Sequence, residues 1–134
     1  MTYYEREINR IKKNCHSNQG QIGTVKGTRN YIDNNFEKEI SLNLLSHIRL
    51  TSKYHLLRLF KRYYGLTPKQ YLIEKRIEKS KEFLINGMPA TETCFAVGFG
   101  SPSSFSTLFK NKVGLSPAEF QKEQLSRRES SNNL

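Results

Sequence analysis

The segment FKRYYGLTPKQYL at residues 60–72 recurs as FKNKVGLSPAEFQ at residues 109–121, 49 positions later. Phe-Lys, Gly, Leu, Ser/Thr, Pro and an aromatic residue repeat in register. A repeat of this kind predicts two copies of one structural unit. Within each copy, glycine ends one helix in a left-handed conformation, and Ser/Thr-Pro opens the next, because proline suits the first helical turn.

Apolar residues at helical spacing extend this pattern along the chain and predict an all-α fold, since no segment alternates with the period of a strand. We expect about seven helices, preceded by a short amphipathic helix over 2–13 in which Tyr4, Ile8 and Ile11 share a face. The seven are predicted at about 25–36, 42–48, 53–64, 68–86, 89–97, 102–113 and 117–125. Their inward residues are predicted to be Val25, Ile32, Phe36, Leu42, Leu45, Leu56, Leu59, Phe60, Tyr63, Ile73, Ile77, Ser80, Leu84, Phe105, Leu108 and Phe109.

The predicted helices divide the chain into two subdomains joined by one long helix. Residues 1–24 are expected to form an N-terminal extension, with a linker rich in Asn, Ser and Gly over 14–27. The first subdomain is expected over 25–66, the linker helix over 67–86 and the second subdomain over 87–125. The polar segment 126–134 is expected to be a disordered tail.

Composition favours a polyanionic partner. The 134 residues carry a formal net charge of +10 with a pI of about 9.8, which favours nucleic acid first and an anionic membrane surface second. Two cysteines, Cys15 and Cys94, are too few for a disulfide framework, and Cys15-His16 lacks the further ligands that zinc requires. No apolar run is long enough to span a membrane, so we expect a cytoplasmic protein without metal or cofactor.

Each half of the repeat is a short helix, a tight turn and a longer helix, which is the helix-turn-helix arrangement. The major groove is about 12 Å wide and admits one such helix with its side chains. The sequence resembles the AraC/XylS-type DNA-binding domain over roughly residues 25–122. The resemblance rests on SKYHLLRLFKRYYGLTPKQYL (52–72), RIEKSKEFL (76–84) and VGFGSPSSFSTLFKNKVGLSPAEF (97–120).

The resemblance implies a bacterial transcription regulator that binds double-stranded DNA, and many members of the family are activators. RNA polymerase is therefore a further candidate partner. Many members carry a separate effector-binding or dimerisation domain, for which the 24-residue extension is too short. The chain thus resembles the small stand-alone members, or it is a fragment of a longer protein.

In the first repeat, the positions matched to base contact in the family are Tyr54, Leu57 and Arg58. An arginine can grip guanine O6 and N7 in bidentate fashion, so Arg58 is the strongest candidate, with a phosphate-bound or solvated side chain as the alternative. Leu57 stands where members of the family often have a polar residue. It is expected either to contact a thymine methyl or to make no base contact. The candidate phosphate contacts of this repeat are Ser52, Lys53, His55 and Lys61, with capping or packing as the alternative role of His55.

In the second repeat, Ser103, Ser104 and Thr107 are the candidate base contacts, and Thr107 stands where the family often has arginine. Because small hydroxyls bond promiscuously, sequence reading is expected to be weaker here, and purely phosphate-contacting or idle roles remain alternatives. The candidate phosphate contacts are Ser101, Ser106, Lys110 and Lys112. Ala90 and Thr93 replace large aliphatic residues of the family, which predicts a second subdomain that is less stable or less firmly docked.

Charge and geometry then predict how DNA is bound. Residues 53–81 carry an excess of seven positive charges, although Arg76 and Lys79 can pair with glutamates along the helix. With about six phosphate contacts, log K would fall against log salt with a slope near −5. The linker helix, about 25 Å long, can hold two reading helices about 34 Å apart, so a monomer is expected to occupy two adjacent major grooves over an asymmetric site of about 20 base pairs.

Two other classes of function compete with this interpretation. An RNA-binding or general nucleic-acid scaffold would need exposed aromatic residues for base stacking, whereas these aromatic residues stand mostly at core spacing. A protein-interaction module, or an antagonist of another regulator with little specific DNA binding, is the main alternative. An enzyme is not expected, because no Ser/His/Asp or Cys/His set and no phosphate-cradling glycine loop is present in the sequence.

Overall fold

Seven helices, and no strand, make up the secondary structure of residues 2–132, which are the residues that the computed structural model describes. Side chains are described throughout this range except at positions 4, 7, 9–18 and 132. The helices are α1 (Tyr3–Asn35), α2 (Leu42–Ile48), α3 (Lys53–Tyr64), α4 (Pro68–Ile85), α5 (Ala90–Ala96), α6 (Pro102–Val113) and α7 (Pro117–Asn132). The predicted all-α fold is confirmed.

The helix α1 corrects the prediction at the N-terminal end, because it runs without a break through the segment 14–27 that was expected to be a linker. A composition rich in Asn, Ser and Gly is only a weak indicator of a linker. Val25, Thr28 and Ile32 are buried on one side of this helix. The predicted apolar face of Tyr4 and Ile11, and the pair Cys15-His16, lie outside the described side chains.

The first of two compact units comprises the residues up to Asn34 together with Ile40–Gln70. Its buried apolar residues come from α1, α2 and α3: Val25, Ile32, Leu45, Leu56, Leu59 and Phe60. Tyr63 was expected to point inward but is 40% exposed. Tyr64 lies one turn after Phe60 and takes the inward place, with its ring 4.8 Å from that of Phe60 and the Arg29 guanidinium 5.4 Å above it.

The second unit comprises Asn35–Glu39 and the chain from Tyr71 onward. Its core is one cluster drawn from α4, α5, α6, α7 and the α5–α6 turn: Ile77, Leu84, Cys94, Val97, Phe99, Phe105, Phe109 and Phe120. The three aromatic rings of Phe105, Phe109 and Phe120 meet edge to face at 5.7 and 5.5 Å. Burial raises the pKa of the Cys94 thiol above its usual value, so this thiol is less nucleophilic than a free cysteine.

Arg76 on α4 fastens the segment 35–39 to the second unit. Its Nε donates to the carbonyl of Phe36 at 2.7 Å, and its Nη2 donates to that of Lys38 at 2.8 Å. Burial lowers the pKa of this guanidinium, and the carboxylate of Glu37 offsets part of that effect. The predicted pairing of Arg76 with a glutamate along its helix is therefore wrong, whereas Lys79 does pair with Glu82 at 3.2 Å.

The C-terminal helix also extends beyond the sequence prediction, since residues 126–132 continue α7 instead of forming a disordered tail. Ser116 and Glu119 begin this helix by bonding to each other's backbone N–H groups at 3.2 and 3.4 Å. Arg127 pairs with Glu123, and Arg128 donates to the carbonyl of Ile85 at 3.3 Å. These contacts hold the last turns of α7, although residues 133 and 134 lie outside the described range.

The two units repeat each other with two different offsets. The long helices α3 and α6 are 49 positions apart, whereas the short helices α2 and α5 are 48 positions apart. The turn of the second unit therefore contains one more residue than that of the first. In the first turn Leu50 takes the left-handed conformation with φ of 53°, and in the second Gly98 takes it with φ of 97°.

Candidate nucleic-acid interface

The helix α3 presents a sharply divided surface. Leu56, Leu59 and Phe60 are buried, while Tyr54 is 78% exposed and Arg58 is exposed on the other side. Ser52 begins this helix, because its Oγ accepts a hydrogen bond from the N–H of His55 at 3.1 Å. Gly65 ends it in the left-handed conformation, and its N–H donates to the carbonyl of Lys61. The sequence prediction of these boundaries and caps is confirmed.

The predicted contact residues of the first unit fall into exposed and half-buried groups. Tyr54, Arg58, Lys53 and Lys61 are exposed, and Leu57 and His55 are half-buried. Leu57 thus has part of its surface available at the edge of the exposed face. Ser52 is exposed, and since its oxygen serves as the helix cap, its hydroxyl proton remains available for an external acceptor.

Charge around α3 is of one sign. From Ile40 to Ile73 the sequence contains no aspartate or glutamate, and its positive side chains are Arg49, Lys53, Arg58, Lys61, Arg62 and Lys69. Within the described part of the chain, Arg58 forms no ion pair. An unpaired guanidinium on an exposed helix face is free to bind a base edge or a phosphate.

The helix α6 occupies the matching place in the second unit. Phe105 and Phe109 are buried, while Ser103, Ser104, Ser106 and Thr107 are exposed. Ser101 caps its start by accepting from the N–H of Ser104, and Gly114 ends it with φ of 91°. The chain thus places the candidate residues of both repeats on the outward faces of equivalent helices.

Several hydroxyls on α6 already have partners within the helix. Ser101 Oγ lies 2.9 Å from the Oγ of Ser104 and 3.4 Å from that of Ser103. Thr107 donates its hydroxyl to the carbonyl of Ser103 at 2.9 Å, which leaves only its oxygen lone pairs for a ligand. These internal bonds reduce what the hydroxyls can offer to a base, in keeping with the weaker reading expected of this helix.

The two lysines near the end of α6 differ in their surroundings. Both are exposed, but Lys112 Nζ lies 4.0 Å from Glu74 Oε1, with both side chains about half exposed to solvent. An ion pair of this exposure contributes little and breaks easily. Lys110 is therefore the less encumbered of these two candidate phosphate contacts.

Two residues of the first turn, Leu50 and Arg49, were not predicted to contribute to this surface. Leu50 is 93% exposed in a conformation that costs a leucine about 1–2 kcal/mol. Arg49 has a buried Nε that finds no hydrogen-bond partner in the described part of the chain. Only the one-residue difference between the two offsets signals an irregular turn, and it becomes visible only when the short helices are aligned separately.

Other kinds of site find no support among the described residues. No group of three metal-ligating side chains is present among them. None of the helices described is both long and apolar enough to span a lipid bilayer.

Comparison with known proteins agrees with this geometry. A family described as "Helix-turn-helix domain" matches residues 45–123. The probable transcriptional regulator LumQ of Photobacterium leiognathi is 34% identical over 93 residues, which are 69% of this chain and 38% of LumQ. The bifunctional transcriptional activator/DNA repair enzyme AdaA of Bacillus subtilis is 36% identical over 104 residues, which are 77% of this chain and 48% of AdaA.

A solved structure is also similar. The C-terminal domain of AraT, a response regulator from Geobacillus stearothermophilus, superposes with a TM-score of 0.72 at 28% identity, covering 75% of this chain and 84% of that domain. The chain spans less than half the length of LumQ and of AdaA. Family match, relatives and fold agree, and the chain belongs to the AraC-type helix-turn-helix transcriptional regulators, of which it represents the DNA-binding domain.

Proposed function

We propose that this chain activates transcription, and that it binds DNA as a monomer by placing α3 and α6 in adjacent major grooves. The observation that carries the proposal is the exposed, unpaired Arg58 beside Tyr54 on a helix whose opposite face is buried. A protruding helix with a free guanidinium is the arrangement that reads guanine in the major groove.

The first unit is proposed to supply most of the sequence discrimination. Arg58 offers bidentate donors, Tyr54 offers a ring to a thymine methyl or a sugar, and Leu57 offers an apolar edge. Lys53, Lys61, Ser52 and His55 are proposed to bind phosphates on either side. The absence of acidic residues between Ile40 and Ile73 means that no carboxylate in this segment repels the backbone.

The second unit is proposed to add affinity with little discrimination. Ser103, Ser104 and Thr107 are the base-facing candidates, and Ser101, Ser106, Lys110 and Lys112 the phosphate-facing ones. Several hydroxyls at the start of α6 already bond to one another or to the backbone, namely those of Ser101, Ser103, Ser104 and Thr107. Replacing these hydrogen bonds by bonds to a base therefore adds little to the binding free energy.

Footprinting by hydroxyl radicals on a bound genomic fragment tests the two-groove proposal. We expect two protected patches on one face of the duplex, separated by about 34 Å, in an asymmetric site of about 20 base pairs. Sedimentation of the complex is expected to give one chain per site. A palindromic footprint, or protection of a single groove, would contradict the proposal.

The activating role needs a separate experiment. A reporter gene placed downstream of the footprinted site is expected to increase its transcript when the chain is present, and to do so less with the Arg58→Ala variant. A fall in transcript would instead indicate repression. If no fragment is preferred over random DNA, a module that binds another regulator becomes the better interpretation.

A further inference from the structure

A polar cleft lies in the first unit beside the start of α3. Its volume is about 360 Å³, and its lining comes from α1, from the turn between α2 and α3, and from α3 itself. The polar side chains that line it are those of Gln21, Thr24, Arg49, Thr51 and His55. No acidic side chain is among the lining residues.

Arg49 reaches this cleft because α1 makes room for it. The residue follows the last turn of α2, where its N–H donates to the carbonyls of Leu45 and His47. Its guanidinium lies against α1 at Gly27, where an added Cβ would stand 2.6 Å from the Cζ atom of Arg49. A side chain at position 27 would therefore push the guanidinium out of its place.

The guanidinium of Arg49 is short of partners. Its Nε is buried without an acceptor, and no carboxylate of the described residues forms an ion pair with the side chain. A buried donor on a charged group is costly when it is left without an acceptor and without a counter-charge. An anion in the cleft would supply the missing charge beside the guanidinium.

The neighbouring side chains add uncommitted donors. The ring of His55, the hydroxyl of Thr51 and the amide of Gln21 have no hydrogen bond within the described part of the chain. Thr24 differs, since its hydroxyl donates to the carbonyl of Gly20 at 2.9 Å. Arginine together with several neutral donors, and without acids, is the donor set that suits a phosphate group.

We propose that Arg49, His55, Thr51 and Gln21 form a binding site for a phosphate group. The phosphate belongs either to the DNA backbone that flanks α3 or to a small phosphorylated molecule. The first source rests on the proposed function, because it requires DNA to lie along α3, whereas the second does not.

Titration with inorganic phosphate, followed by amide chemical shifts at constant ionic strength, tests the site without DNA. We expect saturable shifts at Gln21, Thr51 and His55 in the wild-type chain. Arg49→Met keeps the aliphatic stem and is expected to abolish saturation, while Arg49→Lys retains it with weaker affinity. Lys122→Met removes an exposed charge from the second unit and serves as the matched control.

Salt dependence of DNA binding distinguishes the two sources. If the phosphate is that of DNA, Arg49→Met reduces the slope of log K against log salt by about 1 and weakens binding equally on all sequences. If the phosphate is that of a small molecule, the slope is unchanged, and phosphate saturation in the absence of DNA still depends on Arg49.

Misfolding is checked by Thr51→Val, which keeps the arginine and is expected to weaken phosphate binding several-fold with an unchanged melting temperature. The inference is overturned if phosphate produces no saturable shifts and the slope is the same for wild type and Arg49→Met. A wild-type chain that prefers no DNA sequence would refute the proposed function alone, because the phosphate titration would still decide the site.

Discussion

The turns of the two units each join a short helix to a long helix through a left-handed residue, but they use different residues to do so. Each short helix of seven residues ends two positions before a residue in the left-handed conformation, which is Leu50 in the first unit and Gly98 in the second. Between this residue and the serine cap, the second turn contains one residue more than the first. In consequence Leu50 points into solvent, whereas Phe99, which follows Gly98, is buried in the core of its unit. Both turns therefore place a left-handed residue two positions after the short helix, but they differ in length and in the residue type at that position.

The outward helix faces differ as much as the turns do. The face of α3 carries an unpaired arginine and an exposed tyrosine, while that of α6 carries hydroxyls that are bonded to one another. The difference shows how a duplicated scaffold can keep its core aromatics and caps while the exposed positions diverge. Four groups of substitutions test this difference, and they are ordered by the size of the effect that we expect.

Removing the equivalent core phenylalanines tests whether the units are independently stable. Phe60→Ala and Phe109→Ala should each cost about 3–5 kcal/mol, because each deletes a fully buried ring. Amide hydrogen exchange is expected to lose protection chiefly in the unit that carries the substitution. Equal loss in both units would show that they unfold together, and the exposed variant Tyr63→Ala provides the control.

Alanine substitutions on the two outward faces test which helix discriminates sequence. Arg58→Ala should cost about 1–3 kcal/mol of discrimination against a mismatched site, because a bidentate contact to guanine is lost. Thr107→Ala, at the position 49 residues later, should cost much less, since its hydroxyl donates within the helix. Gel-shift titrations with matched and mismatched duplexes measure both, and a larger effect at Thr107 would reverse the proposed division between the units.

Exchanging the left-handed residues should change stability in opposite directions. Gly98→Ala should destabilise by about 1–3 kcal/mol, since a Cβ would lie 2.8 Å from the carbonyl oxygen of Glu37 at φ of 97°. Leu50→Gly should stabilise by up to about 1 kcal/mol, because it removes left-handed strain from a residue that packs against little. Urea unfolding followed by circular dichroism reports both signs, and destabilisation by Leu50→Gly would mean that the leucine makes a favourable contact.

The smallest expected effect concerns Thr93, which takes the place of Leu45 when the short helices are aligned. Its hydroxyl is buried and donates to the carbonyl of Met88 over a long 3.4 Å. Thr93→Val should stabilise by about 0.5–1 kcal/mol, because that carbonyl still accepts from Gln121 Nε2 at 2.8 Å. Thermal unfolding measures the gain, with the exposed Thr91→Val as control.

Most of the helical framework was predictable because its signals are local. Serine caps at Ser41, Ser52 and Ser101 and glycine ends at Gly65 and Gly114 mark five helix starts or ends without reference to distant residues. The inward position of Tyr63 was predicted wrongly, because helical spacing does not separate it from its neighbour Tyr64, whose ring packs on Phe60 and under the Arg29 guanidinium.

The parts that could not be predicted depend on contacts between distant segments. The guanidinium of Arg76, for example, bonds to carbonyls 40 and 38 positions earlier in the chain. The candidate interface was predictable as a set of outward positions on α3 and α6. The hydrogen bonds among its serines, and the cleft around Arg49, depend on three-dimensional neighbours that no local pattern reports.

The bond from Arg128 to the carbonyl of Ile85 has a practical consequence for anyone shortening the protein. A recombinant version that stops near Leu125 would lack Arg128. The carbonyl of Ile85, at the end of α4, would then lose this hydrogen-bond donor. An affinity tag fused near Leu125 would lie beside the end of α4. The tag is better attached through a spacer after residue 132.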